Sequence, residues 1–353
     1  MNQSDVLQKL QQAEAEQWEE LDLSGMELTE LPSEIGQLVH LKRLILGKYE
    51  NEAIGNLLTT LPPELAYLQE LEELNLSFNE ISVIPDSIAQ LTHLTELYLC
   101  DNKISVIPDS IAQLTNLISL SLWSNQITVI PDSIAQLKNL EKLDLNQNQI
   151  SIIPDSIAQL TNLTSLNLWS NQISVIPDSI AQLTNLTSLD LSSNQISVIP
   201  DSIAQLTNLT SLSLWSNQIR VIPDSIAQLK NLRHLWLSWN QIIIIPDSIL
   251  SLTMISAINY IENDWVERFL KVMLFVRFIF KILFKTKGGL FGCLAGLSAI
   301  LVALPIAQLT IVLPAVLTTF LCFKYGQGFF KPLLFLNSKE VEIDEQQLEN
   351  PNQ

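Results

Sequence analysis

Apolar residues recur along this chain at one fixed spacing. From Leu68 to Ser251 the sequence repeats every 23 residues in eight copies without insertion or deletion, typified by LTNLTSLDLSSNQISVIPDSIAQ from Leu183. Two less regular copies precede them, WEELDLSGMELTELPSEIGQ and a 30-residue copy with seven additional residues around 48–54. Ten copies of one unit predict a repeat protein that grows by stacking units, so the usual relation between length and domain number does not apply.

Each unit predicts a short strand, a bend and a helical turn. Leu189 and Leu191 alternate with polar residues, which is the period of a strand with one face buried. Pro followed by Asp and Ser ahead of Ile203 suits a turn that enters a short helix. Because no single unit can shield its leucines, the units must stack, with parallel strands about 4.8 Å apart in a concave sheet.

An asparagine follows the strand in every regular unit. Its small amide can hydrogen-bond backbone groups that the bend leaves unpaired, so a structural role is predicted for it. The positions are Asn79, Asn102, Asn125, Asn148, Asn171, Asn194, Asn217 and Asn240.

The candidate binding residues are the solvent-facing positions of the predicted concave sheet, since such positions usually carry the contacts of a solenoid. Three tryptophans, Trp123, Trp169 and Trp215, follow one another at intervals of 46 residues. This spacing places neighbouring members about 10 Å apart along one face. Exposed tryptophan is enriched in binding hot spots, but duplication of a two-repeat unit with its LWSNQI segment would explain the same spacing. Both interpretations stay open. The predicted partner-binding residues are Tyr98, Trp123, Asp144, Trp169, Asp190, Trp215, Arg233, His234, Trp236 and Trp239.

The pattern LxxLxLxxNxIxxIPxxIxxL resembles that of leucine-rich-repeat proteins, and its 23-residue length is similar to the intracellular Ras-associated and plant Ras-group class. It covers about 240 residues. The resemblance implies an α/β horseshoe solenoid with a parallel concave sheet that binds a cytosolic protein, with a small GTPase as one candidate.

The opening EELDLSGMELTELPSEIGQLVHLKRLILGKY also resembles the repeat region of bacterial Roco proteins, in which repeats precede a GTPase domain. Here no GxxxxGK[ST] phosphate loop follows the repeats, and FKTKGG at 284–289 lacks the first glycine at the required distance. We therefore expect no GTP hydrolysis by this chain.

The chain has a net charge of -18, and this charge is distributed unevenly over three regions. Residues 1–264 hold 31 acidic and 10 basic side chains, whereas residues 265–339 hold nine basic side chains and one acid, Glu267. The last 14 residues carry five acids and no base. An acidic body argues against a nucleic-acid partner, because phosphates attract Lys and Arg.

Cysteine and histidine give no sign of a cofactor. Cys100, Cys293 and Cys322 are odd in number and lack the spacing of a disulfide framework or a metal site. We expect no metal, no cofactor and no catalytic residue.

The repeats are predicted to lie between two caps and to precede a membrane-active region. Residues 1–17 predict a helical cap, 18–251 the ten repeats, and 252–266, which lose the Asn and the Pro, a C-terminal cap. The start lacks the apolar core of a secretory signal, so we expect the repeats to face the cytoplasm. Residues 339–353 are acidic and polar and predict a flexible tail.

Residues 265–287 predict a basic amphipathic helix at a membrane surface, with its cations near anionic head groups. A soluble helix docked on the repeats is the alternative. These cations are Lys271, Arg277, Lys281 and Lys285.

Residues 288–323 form a run of 36 residues without one charged side chain, against the roughly 20 apolar residues that span a bilayer as a helix. Pro305 and Gln308 near its middle indicate a break, and Pro314 lies further along it. Basic residues flank both ends, which favours a hairpin over one crossing, although both topologies stay open.

The leading hypothesis is thus a membrane-tethered adaptor or scaffold in signalling, and not an enzyme. One alternative makes the C-terminal region a membrane-active or oligomerising effector that the repeats regulate. A second, a similarity to bacterial leucine-rich-repeat ubiquitin ligases, is disfavoured because the region after the repeats is too hydrophobic and too short for a soluble catalytic domain. The partner's identity and the oligomeric state are left open.

Overall fold

A computed structural model of the protein describes residues 3–49, 53–242, 246, 248 and 257–259. One helix, α1, spans Gln3–Ala15, and the rest of the described chain alternates strands with short 3-10 helices. The strands are β1 Glu20–Asp22, β2 Arg43–Tyr49, β3 Ala53–Ile54, β4 Glu73–Leu76, β5 Glu96–Tyr98, β6 Ser119–Ser121, β7 Lys142–Asp144, β8 Ser165–Asn167, β9 Ser188–Asp190, β10 Ser211–Ser213, β11 His234–Trp236 and β12 Ala257–Asn259. The 3-10 helices are Ser33–Gln37, Pro63–Tyr67, Asp86–Gln90, Asp109–Gln113, Asp132–Gln136, Asp155–Gln159, Asp178–Gln182, Asp201–Gln205 and Asp224–Gln228.

The strands form one sheet in which sequence neighbours are spatial neighbours. Apart from β3, each strand pairs in parallel with the next, and the central leucines are in register, as in the pairing of Leu189 with Leu212. A parallel sheet built from consecutive 23-residue units confirms the predicted parallel-strand solenoid.

The core is a stack of equivalent apolar side chains. In the repeat that contains β9, Leu189 and Leu191 of the strand segment, Ile196 after the bend and Ile203 in the 3-10 helix are all fully buried. The predicted short helix is a 3-10 helix, in which Ile203 N–H donates to the Pro200 carbonyl at 3.1 Å. Such a tight single turn suits the few residues between the proline and the next strand.

The predicted asparagines join neighbouring repeats. Asn171 accepts from Ile150 N–H at 2.9 Å and donates to the carbonyls of Leu145 and Leu168 at 3.0 and 3.1 Å. Ile150 and Leu145 belong to the preceding unit, so the amide ties two units together as well as closing its own bend. Asn56 does the same for the irregular second unit, accepting from Leu28 N–H and donating to Leu23 O.

The seven-residue insertion forms a hairpin at the edge of the second unit. β2 extends to Tyr49 and pairs with β3 in antiparallel fashion. Gly47 and Gly55 flank the insertion where two backbones meet, since a Cβ atom would lie 1.8 Å from the Ser77 carbonyl oxygen at Gly47 and 1.6 Å from that of Phe78 at Gly55. Glycine is required there because a larger residue would overlap the neighbouring chain.

Helix α1 covers the open end of the first repeat. Val6, Leu10 and Ala13 lie on one side of the helix and are almost fully buried. Lys9 Nζ also donates to the Asp22 carbonyl in β1 at 2.5 Å. The helix therefore shields leucines that a preceding repeat would otherwise cover.

Much of the predicted C-terminal region lies outside the described residues. Within 252–266, β12 is described and adds one more strand, with Ile258 in register with Leu235. In the part of the chain described here, no helix combines the length and hydrophobicity that a bilayer crossing needs. The predicted segments at 265–287, 288–323 and 339–353, with their basic residues and prolines, fall beyond it.

Candidate functional site

One face of the sheet is uncovered by other elements of the repeats, and we call it the open face. In each of the strands β4 to β11 a leucine points into the core, and its two neighbours point outward because side chains alternate along a strand. Two rows of open-face residues run across the strands β4 to β11. The third strand residues are Asn75, Tyr98, Ser121, Asp144, Asn167, Asp190, Ser213 and Trp236, and two residues later lie Ser77, Cys100, Trp123, Asn146, Trp169, Ser192, Trp215 and Ser238.

The structure places the tryptophans of the second row on alternate repeats, and each is half-buried. The Trp123 ring meets Phe78 edge to face, with centroids 5.6 Å apart and planes at 73°. Trp169 Nε1 donates to Ser193 Oγ at 3.2 Å. These side chains therefore lie against their neighbours and offer part of each ring to solvent, which is less exposure than the sequence led us to expect.

The C-terminal end of the open face has a second group of aromatic side chains. His234 and Trp236 stack with centroids 5.4 Å apart and an interplanar angle of 14°. Trp239 is 60% exposed, and its backbone is left-handed at φ 56°. A bulky residue seldom adopts that conformation.

Trp239 occupies a bend position that is left-handed in every regular repeat. The residue before the asparagine that follows the strand has φ between 48° and 56° in each regular repeat, for example Asp101 and Ser193. In the other seven regular repeats this position holds Phe, Asp, Gln or Ser. Trp239 therefore presents an exposed indole where most repeats carry a small or polar side chain.

Asp144 and Asp190 lie on the first row, two strands apart. Each carboxylate accepts a backbone N–H two residues ahead, from Asn146 at 3.1 Å and from Ser192 at 2.9 Å. Burial raises the pKa of Asp144, and the negative charge of Asp190 adds to that effect, while hydrogen bonds from Asn146 and Asn167 oppose it. The two acids therefore help close their bends, a structural role that the sequence did not indicate.

The first strands of the open face carry most of its charge, and part of that charge is paired. Arg43 bridges Glu20 at 2.6 Å and Glu73 at 2.7 Å. The phenol of Tyr98 donates to Glu96, and burial together with this carboxylate raises the pKa of Tyr98 well above its usual value. The sequence did not single out Arg43, because a cation among acidic strands gives no signal until the strand register is known.

The far end of the face has the opposite charge. Arg233 is exposed and His234 half-buried, both next to the aromatic group around Trp236. The open face thus runs from a net acidic half to an end that carries aromatic rings and the cation Arg233. Such a surface can stack on, hydrogen-bond and pair with groups of another macromolecule.

Potential metal ligands and one thiol also occur among the described residues. Among them, no group of three or more His, Cys, Asp or Glu side chains could hold a metal ion. Cys100 is buried, and burial raises the pKa of its thiol, which keeps it protonated and unreactive at neutral pH. The nearby Ser121 hydroxyl accepts a hydrogen bond from it at 3.1 Å.

The repeat geometry agrees with comparisons to known proteins. The profile of the leucine rich repeat family matches six overlapping stretches, 55–104, 92–150, 115–173, 161–219, 185–242 and 207–259, which together cover more than half of the chain. The chain belongs to the leucine-rich-repeat family. Domains of this family are typically non-enzymatic modules for protein–protein interaction. No curated protein matches the chain.

Several solved structures are similar to the chain. A leucine-rich-repeat protein of Leptospira interrogans is 34% identical, with a TM-score of 0.50, over 66% of this chain and 70% of that one. The repeat ectodomain of the Arabidopsis thaliana receptor kinase GASSHO1/SCHENGEN3, solved in complex with CASPARIAN STRIP INTEGRITY FACTOR 2, is also 34% identical, with a TM-score of 0.59, over 65% of this chain and 28% of that one.

The Arabidopsis receptor kinase HAESA, in complex with the peptide hormone IDA and a co-receptor, is 30% identical, with a TM-score of 0.56. The match covers 63% of this chain and 38% of the receptor chain. The two plant receptors are therefore much longer than the region they share with this chain, and the shared region is the repeat solenoid.

Proposed function

We propose that this chain is a membrane-tethered interaction module whose open face binds another protein. The observation that supports it best is the open face itself, an uncovered sheet surface with half-buried tryptophans at Trp123, Trp169 and Trp215 and an exposed aromatic group at its C-terminal end. Aromatic side chains held in place by neighbours lose little entropy on binding and make strong contacts. The similar HAESA structure holds a peptide hormone, which favours recognition of a protein segment.

The charge of the open face defines the surface that would fit it. On the partner, Lys or Arg would complement Asp101, Asp144 and Asp190, and an apolar anchor would fit the end around Trp236 and Trp239. The partner is in our proposal a cytosolic protein. The resemblance to Ras-associated repeats makes a small GTPase the first class to test, and signalling the first setting.

The experiment uses the full chain in detergent micelles, with bound proteins captured from cytosol by cross-linking and then measured as purified partners. Replacing three tryptophans by Ser, at Trp123, Trp169 and Trp215, should weaken the affinity for the purified partner at least tenfold. Buried aromatic anchors contribute about 2 kcal/mol or more each. The matched control is Tyr67→Ser, because Tyr67 is an aromatic residue 62% exposed in a 3-10 helix away from the open face. Equal affinity of the triple variant and the control would exclude the tryptophan row.

Tethering is the second part of the proposal, with the membrane as its location and the repeats facing the cytoplasm. It is supported by the basic segment 265–287, by the 36 uncharged residues that follow it, and by basic residues on both sides of that stretch. Lipid would contact Lys271, Arg277 and Lys281, and a hairpin through Pro305 would return the chain to the same side.

The test compares fractionation of cells that express the full chain with cells that express a chain lacking 265–339. The full chain should stay in the membrane pellet after washing with alkaline carbonate, and the shortened chain should move to the supernatant. Full extraction of the intact chain by the carbonate wash would contradict insertion, and retention of the shortened chain would place the tether elsewhere.

A further inference from the structure

A second regular surface lies outside the open face. Two residues before each repeat proline stands a β-branched apolar side chain, and the described examples are strongly exposed, from 59% at Val221 to 70% at Ile152. We call this set the valine rail. It consists of Val83, Val106, Val129, Ile152, Val175, Val198 and Val221.

The fold does not require apolar residues at these positions. The two irregular repeats place Glu30 and Thr60 at the equivalent site, both exposed, and each is followed by a normal 3-10 helix. The isoleucine that follows each rail residue, such as Ile153, already fills the core. The seven exposed side chains therefore contribute nothing to the packing of their own repeats.

The rail position varies less than the exposed residue that precedes it. The residue just before the rail residue changes along the chain, from Ser82 to Thr128 to Arg220, whereas the rail position changes only between Val and Ile in the seven described repeats. An exposed position that drifts freely would be expected to collect polar residues. The rail therefore has the composition of a contact surface.

The two sides of the rail differ in charge: an exposed aspartate stands three residues after each rail residue, such as Asp155 after Ile152, whereas the residues that precede the central rail residues are uncharged. The preceding residues from Ser105 to Ser197 are exposed serines and a threonine, and an exposed glutamine stands three residues before each rail residue from Val129 to Val221. Near the C-terminal end, a groove of about 380 Å³ is lined by Val198, Val221 and neighbouring polar residues. The rail thus fits an apolar ridge that meets it along its neutral, hydrogen-bonding edge.

A second copy of the chain offers such a ridge. The seven side chains expose roughly 100 Å² each, so the rail presents roughly 700 Å², close to the roughly 800 Å² that each partner contributes to a standard interface. That area exceeds the roughly 300–600 Å² of the largest apolar patch on a typical monomer. Because the chain carries a net charge of -18, two copies would approach with the uncharged serine and glutamine edge of each rail facing the other.

Symmetry sets the arrangement. A two-fold axis near Ile152, the middle rail residue, runs the two rails antiparallel, and the equal spacing of the repeats lets side chains of one rail enter the gaps of the other. Val83 of one copy then lies beside Val221 of its partner, and Ile152 lies beside its own equivalent. We propose that the valine rail is the interface between two antiparallel copies of this chain.

Cysteine cross-linking of the full chain in detergent micelles tests this register, with Cys293 and Cys322 replaced by Ser and the buried Cys100 kept. Mild oxidation should link Ile152→Cys into a dimer. Val83→Cys alone should stay unlinked, because its two copies would lie at opposite ends of the rail, and a mixture of Val83→Cys with Val221→Cys should link. A linked dimer of Val83→Cys alone, or no dimer of Ile152→Cys, would overturn the antiparallel rail.

The mass of the particle gives an independent measurement. Light scattering of the full chain should report the mass of a dimer. Ile152→Glu should raise the dissociation constant of the dimer at least tenfold, because it places two carboxylates together. The control Ile118→Glu changes an exposed isoleucine beside the sheet edge, at 39% exposure, and should leave the dimer intact. A monomeric wild-type chain overturns the proposal. In a second Ile152→Cys variant that keeps Cys293 and Cys322, an internal disulfide from residue 152 to either cysteine would do so too, by showing the chain's own C-terminal region on the rail.

Discussion

At the scale of single residues, the asparagines that follow the strands hydrogen-bond buried backbone groups of two neighbouring repeats. Each one replaces the hydrogen bonds that two neighbouring backbones cannot make to each other in the bend. Asn171 alone serves one N–H and three carbonyl groups, those of Leu145, Leu168 and Trp169. A side chain that satisfies buried groups of two repeats couples their stabilities.

Replacing Asn171 by Ala should therefore lower the free energy of unfolding by about 2–4 kcal/mol, since buried polar groups lose their partners. Urea unfolding followed by circular dichroism measures the change. The control Gln172→Ala alters the exposed next residue and should shift the midpoint little. A structural role for the amide would be contradicted if only Gln172→Ala lowered the free energy of unfolding, or if neither variant did.

Asp144 gives a prediction that depends on pH. Burial raises the pKa of its carboxyl, so the folded chain holds this proton at higher pH than the unfolded chain does. This group then lowers stability as pH rises from the ordinary aspartate value of about 4 through the raised folded value. Asn at the equivalent position, as in Asn167, makes the same bond to the backbone without the charge.

Asp144→Asn should accordingly unfold at higher urea than wild type at pH 7, and the difference should shrink at pH 3. Asp132→Asn, in an exposed turn, serves as the matched substitution. If Asp144→Asn raises the urea midpoint as much at pH 3 as at pH 7, the carboxyl charge is not the cause of the increase.

At the scale of elements, the strands and bends follow from the sequence, because their hydrophobic period of two and the recurring asparagine are both local signals. The sequence alone did not predict that the helical turn is a 3-10 helix or that β2 and β3 form a hairpin. The hairpin depends on Gly47 and Gly55 passing close to the next repeat, and that approach appears only once the strands are in register.

The open face was predictable in its rows but not in its packing. Strand alternation gives the positions of Trp123 and Asp144, whereas their burial depends on residues two strands away, such as Phe78 against Trp123. No short-range pattern relates residues 45 positions apart. The valine rail was missed for another reason, since an exposed valine resembles a core valine in any hydrophobicity profile.

Helix α1 gives the prediction at this scale. Leu10→Ala should cost about 2–4 kcal/mol of helix docking by leaving a cavity against the first repeat. Because repeats contact only their neighbours, the effect should stay local. Hydrogen exchange should accelerate in residues 3–23 and stay unchanged in β8 and β9, and Gln11→Ala, exposed on the same helix, should change neither. Acceleration spread evenly over all repeats would show that the cap acts on the whole solenoid.

At the scale of the whole molecule, the solenoid is a series of nearly interchangeable units, and its stability should approximate a sum over units and the contacts between neighbours. Register makes this testable. Removal of 160–205 deletes 46 residues, two complete units, and joins Gln159 to Leu206 in phase. The surviving asparagines then meet the same backbone groups as before.

The chain lacking 160–205 should keep a strand-rich circular dichroism spectrum and unfold in one transition at a lower temperature, because two neighbour contacts are lost. Removal of the 34 residues 172–205 is the matched comparison, since it ends at the same residue but breaks the 23-residue phase. That chain should fail to fold, because its leucines and asparagines no longer face their partners. Equal folding of both chains would mean that register is not what holds the repeats together, and the assignment of an ordered row of binding residues on the open face would lose its basis.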